Sequence, residues 1–165
     1  QIKIPLPNTL QDIQENLSKV GLSGPLDDLE LKINRAAEAA APRAKTLVVD
    51  AVRSMTIEDA LCILNGGDTA ATDFLKAKTS DALVEAFRPY VSDALNNSGA
   101  YTAVENVAGK YLPAGMVTGA RSDLTDHAVN GALDGVFHYI AKEEQAIRRD
   151  PVKRTTELLR KVFGR

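Results

Sequence analysis

Apolar residues recur at intervals of three and four along almost the whole chain, and no segment alternates with period two. This spacing is typical of amphipathic α-helices, whose apolar side chains fall on one face, and not of half-buried strands. The clearest stripe starts after Pro25 and consists of Leu26, Leu29, Ile33, Ala36, Ala40, Ala44, Leu47 and Ala51. The pattern therefore predicts an all-α fold.

Short polar sequences indicate where these helices begin. Thr56 with Asp59, and Thr102 with Glu105, have the three-residue spacing of a capping box, in which each side chain bonds the backbone amide of the other residue. Ser80 and Ser122 are expected to open further helices. These signals predict two helices that begin with capping boxes, at Thr56 and at Thr102.

The boundaries together predict an irregular bundle of about eight helices. Two of the helices are expected to be long, at about 26–53 and 123–149, and a last helix is expected to start at Asp150 and Pro151. With 165 residues, of which 44% are hydrophobic, the chain can bury roughly 70% of its unfolded surface. We therefore expect a single all-helical domain over residues 1–165.

Composition excludes several classes of protein. The net charge of −2 gives no overall attraction to nucleic acid, and we expect no nucleic-acid partner. Cys62 is the only cysteine, so neither an intrachain disulfide nor a cysteine zinc cluster can form. No apolar run reaches the length of a membrane span, so we expect no transmembrane segment.

Four segments of the chain resemble a known family. They are SMTIEDALCILNGGDTAATDFLKAKT, NRAAEAAAPRAK, FRPYV and ALDGVFHYIAKEEQAIRRDPVKRTTELLRKVFG. Together they are similar to an uncharacterised bacterial family catalogued as domain of unknown function number 4197. The resemblance implies no catalytic signature, and it implies an exported, periplasmic protein whose mature chain starts near Gln1. The helix pattern also resembles, at the level of fold, the ligand-binding domain of tetracycline-repressor-like regulators.

Two prolines inside the helical pattern suggest a binding pocket. Pro42 and Pro89 lack an amide donor and clash with the preceding turn, so we expect each to kink its helix. Bent helices can leave a gap between them that aromatic side chains line. A cation at the edge of this gap could bind the acidic head group of a ligand. The candidate ligand-binding residues are Phe74, Phe87, Arg88, Tyr101, Tyr111 and Phe137. The alternative is that these aromatics fill a compact core.

Two glycine-containing segments have both a functional and a structural interpretation. Gly66, Gly67 and Thr69 precede a helix and could present free amides to an anion; alternatively they only end one helix and cap the next. A patch of small residues allows close approach of another helix, either in the same chain or at a homodimer interface. The patch consists of Ala128, Gly131, Ala132 and Gly135.

No metal site is expected. His127 and His138 are about 16 Å apart along one helix, and Asp123 with His127 supplies too few ligands. The basic residues within 148–165 could contact an anionic membrane surface, although a solvated helix face is the simpler interpretation. An enzyme would need charged residues gathered in one cleft, such as Asp50, Arg53, Asp73 and Arg88.

The sequence therefore favours a non-enzymatic, exported domain without a cofactor. We expect it to bind an apolar or amphipathic small molecule, such as a lipid, between kinked helices. The alternative is a structural or interaction module that acts as a homodimer and binds no ligand.

Overall fold

A computed structural model describes residues 3–113 and 119–150. No strand occurs among them, and the all-α prediction is confirmed. The α-helices are α1 (Asn8–Ser18), α2 (Gly24–Ala40), α3 (Ala44–Arg53), α4 (Ile57–Asn65), α5 (Ala70–Asn97), α6 (Ala100–Tyr111) and α7 (Ala120–Arg149), and a 3₁₀ turn spans Ala41–Arg43.

The chain divides into two compact units. Unit 1 comprises Gln1–Arg43 and Val84–Ala132, and unit 2 comprises Ala44–Leu83 and Leu133–Arg165. Helices α5 and α7 each contribute one part to unit 1 and the other part to unit 2. The candidate sites are therefore described unit by unit.

The apolar stripe of α2 is buried as the spacing indicates, but the predicted long helix over 26–53 is wrong. Leu26, Leu29 and Ile33 are fully buried in unit 1. The α-helix stops at Ala40, and Pro42 lies in the 3₁₀ turn that separates α2 from α3. Proline cannot donate the helical hydrogen bond, and here the result is a break between two helices instead of a bend in one.

Ser80 does not open a helix. It lies inside one continuous helix, α5, which also includes Pro89. The hydroxyl groups of Thr79 and Ser80 donate to backbone carbonyls one turn earlier, at 2.7 and 2.6 Å, and are satisfied inside the helix. The described residues consequently hold fewer than eight α-helices, and the helix predicted from Asp150 and Pro151 lies outside them from residue 151 onward.

One predicted capping box is confirmed and the other is wrong. The Asp59 amide donates to the Thr56 hydroxyl at 3.1 Å, and the Thr56 amide donates to the Asp59 carboxylate at 2.9 Å. In contrast, α6 begins at Ala100, directly after a glycine in the left-handed region, so Thr102 lies inside the helix. The Glu105 side chain pairs with a guanidinium of α7 and does not reach back to cap α6.

The long helix predicted over about 123–149 is confirmed as α7, which begins three residues earlier. Over the described ranges, no helix has both the length and the apolar character that crossing a bilayer requires.

Candidate functional site

The N-terminal segment, residues 3–7, lies extended in unit 1. Its sequence, Lys-Ile-Pro-Leu-Pro, contains two prolines and cannot continue a helix. Ile4 and Leu6 are buried. Lys3 and Pro5, which alternate with them along the chain, are exposed, so every second side chain points into the protein. Alternation of this kind is how an extended peptide fits a groove.

Three polar side chains hold the backbone of the N-terminal segment. Asn34 of α2 accepts from the Ile4 amide and donates to the Ile4 carbonyl, both at 2.8 Å. His127 of α7 lies with Nε2 2.6 Å from the Pro5 carbonyl oxygen, and because a carbonyl can only accept, Nε2 carries the proton. Gln11 donates to the Leu6 carbonyl at 2.6 Å.

The small residues of α7 make room for this segment. A Cβ atom on Gly131 would lie 2.6 Å from Cγ2 of Ile4, so Ile4 packs where only glycine fits. Ala128 and Ala132 are buried on the same helix. At Gly131 the close contact is made by the chain's own extended N-terminal segment, whereas the small-residue patch was predicted to admit another helix. Gly135 lies farther along α7, in the part assigned to unit 2.

A surface cavity of about 660 Å³ adjoins the segment at Lys3. The ammonium group of Lys3 pairs with Glu30 at 2.9 Å, and the Glu30 side chain is only 11% exposed. The cavity is lined by Lys3, Asp27, Glu30, Leu31, Asn34, Arg35 and Glu38. Its walls combine charges of both signs, and none of the predicted ligand-binding aromatics belongs to them.

The predicted ligand-binding residues of unit 1 have separate surroundings. Phe87 is fully buried in the core, while Tyr111 is exposed at the end of α6. Arg88 pairs with Asp126 of α7 on the surface. Tyr101 is buried, and its hydroxyl lies 2.9 Å from Ser92 and 2.7 Å from Thr125.

The hydrogen bonds around Tyr101 run in one direction. The Thr125 hydroxyl donates to the Arg121 carbonyl at 2.8 Å, so towards Tyr101 it can only accept. Tyr101 therefore donates to Thr125 and accepts from Ser92. This chain ends on a backbone carbonyl and satisfies every hydroxyl in it, which is the pattern of a core tyrosine that stabilises the fold.

In unit 2, Phe137 is buried and Phe74 is half-buried. An ammonium group lies near each ring: Lys76 is 5.8 Å from the Phe137 centroid, and Lys78 is 5.7 Å from the Phe74 centroid. Both rings accordingly have cation–π partners within the protein.

The first turn of α5, which follows Gly66, Gly67 and Thr69, receives a carboxylate from the chain itself. The carboxylate of Glu144 accepts from the amides of Ala71 and Thr72 at the start of α5, at 2.9 and 2.8 Å. It also accepts from the Thr72 hydroxyl, and from Arg148 at 2.9 Å. Glu144 caps α5 from α7, so these amides are engaged inside the protein.

Gly66 lies in the turn between α4 and α5, close in sequence to the amides that Glu144 caps. A Cβ atom on Gly66 would lie 2.5 Å from Cβ of Ala70, so the turn between α4 and α5 requires glycine there. Arg148 donates to the Ile63 carbonyl at the end of α4, at 2.8 Å. Glu144 and Arg148 thus join the end of α7 to the start of α5 and the end of α4 within unit 2.

These contacts decide the ionisation of Glu144. Burial of the carboxyl raises its pKa, but the hydrogen bonds from Ala71, Thr72 and Arg148 lower it by more, so the pKa lies below the ordinary value of 4.5. The group is held as a carboxylate, which suits a capping role and not proton transfer at neutral pH.

Helices α3 and α4 of unit 2 expose apolar side chains. They bury only Ala44 and Ile63, respectively. The exposed apolar residues, here called the α3–α4 surface, are Val49, Val52, Ile57 and Leu61, and Cys62 is exposed beside them. Cys62 is exposed although Leu61, Ile63 and Leu64 surround it in the sequence, because α4 is buried on the side of Ile63.

Other predicted groups engage local partners. Asp50 pairs with Arg53 at 3.8 Å, and Asp73 accepts from Thr69 at 3.1 Å. His127 is engaged with Pro5. In the ranges that the structure describes, no three His, Cys, Asp or Glu side chains are placed to hold a metal ion.

Sequence reasoning overlooked Asn34, Glu144 and the N-terminal segment. The segment carried a readable signal, because two aliphatic residues alternate with two prolines directly before the first helix. Asn34 and Glu144 carried no local signal, since their partners lie 30 and 73 positions away in sequence.

Comparison with protein families assigns the chain. The family described as "Protein of unknown function (DUF4197)" matches residues 1–164. The chain belongs to the DUF4197 family. Comparison with curated proteins and with solved structures found no significant match. The likeness of this DUF4197 chain to tetracycline-repressor-like regulators therefore stays a prediction.

Proposed function

We propose that this protein is a non-enzymatic, exported domain that binds a lipid through the α3–α4 surface. The observation that carries the proposal is the exposure of aliphatic side chains on two consecutive helices. Val52, Ile57 and Leu61 are 50%, 83% and 53% exposed. Contiguous helices of a water-soluble domain ordinarily bury such residues, so this exposure favours a ligand or surface that covers them.

The arrangement within each helix fits an amphiphile. Val49 and Val52 are three residues apart on α3, and Ile57 and Leu61 are four apart on α4, so each pair forms a stripe along one face. Lys45, one turn before Val49, can meet a phosphate head group while the valines contact acyl chains. The nearby Asp50 is already paired with Arg53, which reduces its repulsion of an anionic head group.

The proposed ligand is of the same class, a lipid, as the one expected from the sequence, but the residues that support it are different. The aromatic residues predicted to line a pocket include Phe87, Tyr101 and Phe137, which are buried. The exposed aliphatic residues of α3 and α4 support contact at the surface of these two helices better than contact between kinked helices.

A paired substitution tests the proposal. We expect Ile57→Ser with Leu61→Ser to lower binding to vesicles of phosphatidylcholine and phosphatidylglycerol (7:3) at least tenfold, because burial of each side chain contributes about 1.5–3 kcal/mol. Co-sedimentation measures the binding, and native mass spectrometry of protein purified from cells reports any lipid that accompanies it.

The matched control removes a similar apolar area elsewhere. Val20 and Leu22 of unit 1 are 66% and 63% exposed, so Val20→Ser with Leu22→Ser should leave vesicle binding unchanged. Equal losses in both double variants would contradict the proposal. A wild-type dimer that becomes monomeric in the Ile57, Leu61 variant, with no lipid bound to either, would favour the homodimer alternative.

A further inference from the structure

The N-terminal segment is held in the way that a receptor holds an extended peptide: alternate side chains are buried, and the backbone is bound by polar side chains. We propose that the groove in unit 1 that holds residues 3–7 is a binding site for an extended segment of a partner protein. The segment bound has the form basic, aliphatic, proline, aliphatic, proline. The chain's own N-terminal segment occupies the groove as a competitor.

Each position of the segment contacts a different feature of the groove. Lys3, at the basic position, pairs with Glu30. Ile4, at the first aliphatic position, packs against Gly131, and Leu6, at the second, is fully buried. A carboxylate that is nearly buried selects for a cation, since an unpaired charge there is costly. The absence of a side chain on Gly131 leaves a space shaped for a branched aliphatic residue.

The backbone contacts select for conformation. Asn34 bonds both the amide and the carbonyl of Ile4, which is the pairing that a neighbouring strand would make. The next residue offers only its carbonyl, to His127, so a proline at Pro5 loses no hydrogen bond in the groove.

The prolines reduce the cost of ordering the segment. Pro7 has φ −52° and ψ 143°, near the polyproline II conformation that proline-rich peptides already adopt in water. Beyond Pro7 the chain turns into α1, and the Pro7 carbonyl accepts from Leu10 and Gln11. The recognised element therefore comprises five residues and ends at the proline.

A peptide from another protein can make most of the same contacts. Glu30, Asn34, His127 and Gly131 all lie outside the segment, on α2 and α7. Residues 3–6 belong to no helix or sheet, so their departure breaks no regular secondary structure and can leave Pro7 in place at the start of α1. Since the wild-type groove is filled, the apparent affinity for a free peptide is reduced by the fraction of molecules in which the groove is open.

Fluorescence anisotropy with a labelled peptide of residues 1–9 tests this site in the full chain. We expect weak binding to wild type and binding at least tenfold tighter to Ile4→Ser, because this change weakens the competing segment and leaves the groove intact. A peptide with serine in place of both Ile4 and Leu6 should not bind either protein.

Two alanine substitutions in the Ile4→Ser background localise the contact. Gly131→Ala places a methyl group where the peptide isoleucine must lie and should return the affinity to the wild-type level or below. Gly109→Ala on α6 has nothing within 4 Å of the added atom and should have no effect. Binding to Ile4→Ser that is no tighter than to wild type, or that ignores Gly131→Ala, would overturn the proposal.

Hydrogen exchange tests the proposal on the wild-type chain, so the test does not require any variant to fold. The Ile4 amide is bonded to Asn34 and should be protected from exchange. An excess of the peptide should accelerate exchange at Ile4 without changing exchange in α6. Unchanged exchange at Ile4 under saturating peptide would show that the segment does not leave the groove, and the proposal would fail.

Discussion

At the scale of single residues, buried polar side chains determine how unit 2 is held together. Glu144 brings a carboxylate to the first turn of α5, where the amides of Ala71 and Thr72 have no partner within the helix. Arg148 neutralises the carboxylate and bonds the carbonyl of Ile63 in α4. One pair of side chains on α7 thus satisfies the ends of two other helices.

The neutral substitution Glu144→Gln should lower the free energy of unfolding at pH 7 by roughly 2 kcal/mol, because hydrogen bonds to a charged group are lost while the shape is kept. Glu143→Gln is the matched control, since Glu143 is the adjacent, exposed residue. Urea unfolding measures both. Similar losses in the two variants would contradict the capping role.

The effect of Glu144 should depend on pH. Its pKa is lowered in the folded protein, so its contribution is complete above the unfolded-state value of about 4.5 and is lost as the pH falls through the folded-state pKa. The difference in stability between wild type and Glu144→Gln should therefore shrink below about pH 4.5 and stay constant from pH 6 to 8. A difference that grew on acidification would have the wrong sign.

At the scale of helices, the two internal prolines have different consequences. Pro42 separates α2 from α3, whereas α5 continues through Pro89. Proline in a helix interior costs about 3 kcal/mol, and α5 sustains this cost because Leu83, Phe87, Val91 and Leu95 are all fully buried along one face. The burial of these four side chains thus stabilises the turns on both sides of Pro89.

Pro89→Ala should stabilise the protein by up to about 3 kcal/mol, because it supplies an amide donor for the Glu85 carbonyl and Pro89 itself is exposed. Pro25→Ala is the control, since Pro25 lies in the first turn of α2, where the missing amide costs nothing. Thermal and urea unfolding compare the two. Destabilisation by Pro89→Ala would contradict this expectation.

At the scale of the whole molecule, the two units share secondary structure. Helices α5 and α7 each supply residues to both units, so unfolding either unit would fray a helix of the other. If the chain is a single domain, as the sequence predicts, the two units unfold together, and equilibrium unfolding can test this.

We expect one unfolding transition. Far-ultraviolet circular dichroism and hydrogen exchange of unit 1 peptides should give the same midpoint in urea. Glu144→Gln, which lies in unit 2, should shift the midpoint of unit 1 by the same amount. Separate midpoints would show that the units are independent domains.

The sequence by itself determined that the chain is helical, which face of α2 is buried and where Thr56 caps α4, because helical periodicity and capping are local properties. It also determined the family. Only the tertiary structure decided that Glu144 caps α5, that Ile4 packs against Gly131, and that the stripes of α3 and α4 stay exposed. These outcomes join positions far apart in sequence, and the packing of helices, not the spacing of residues along one helix, determines which groups meet.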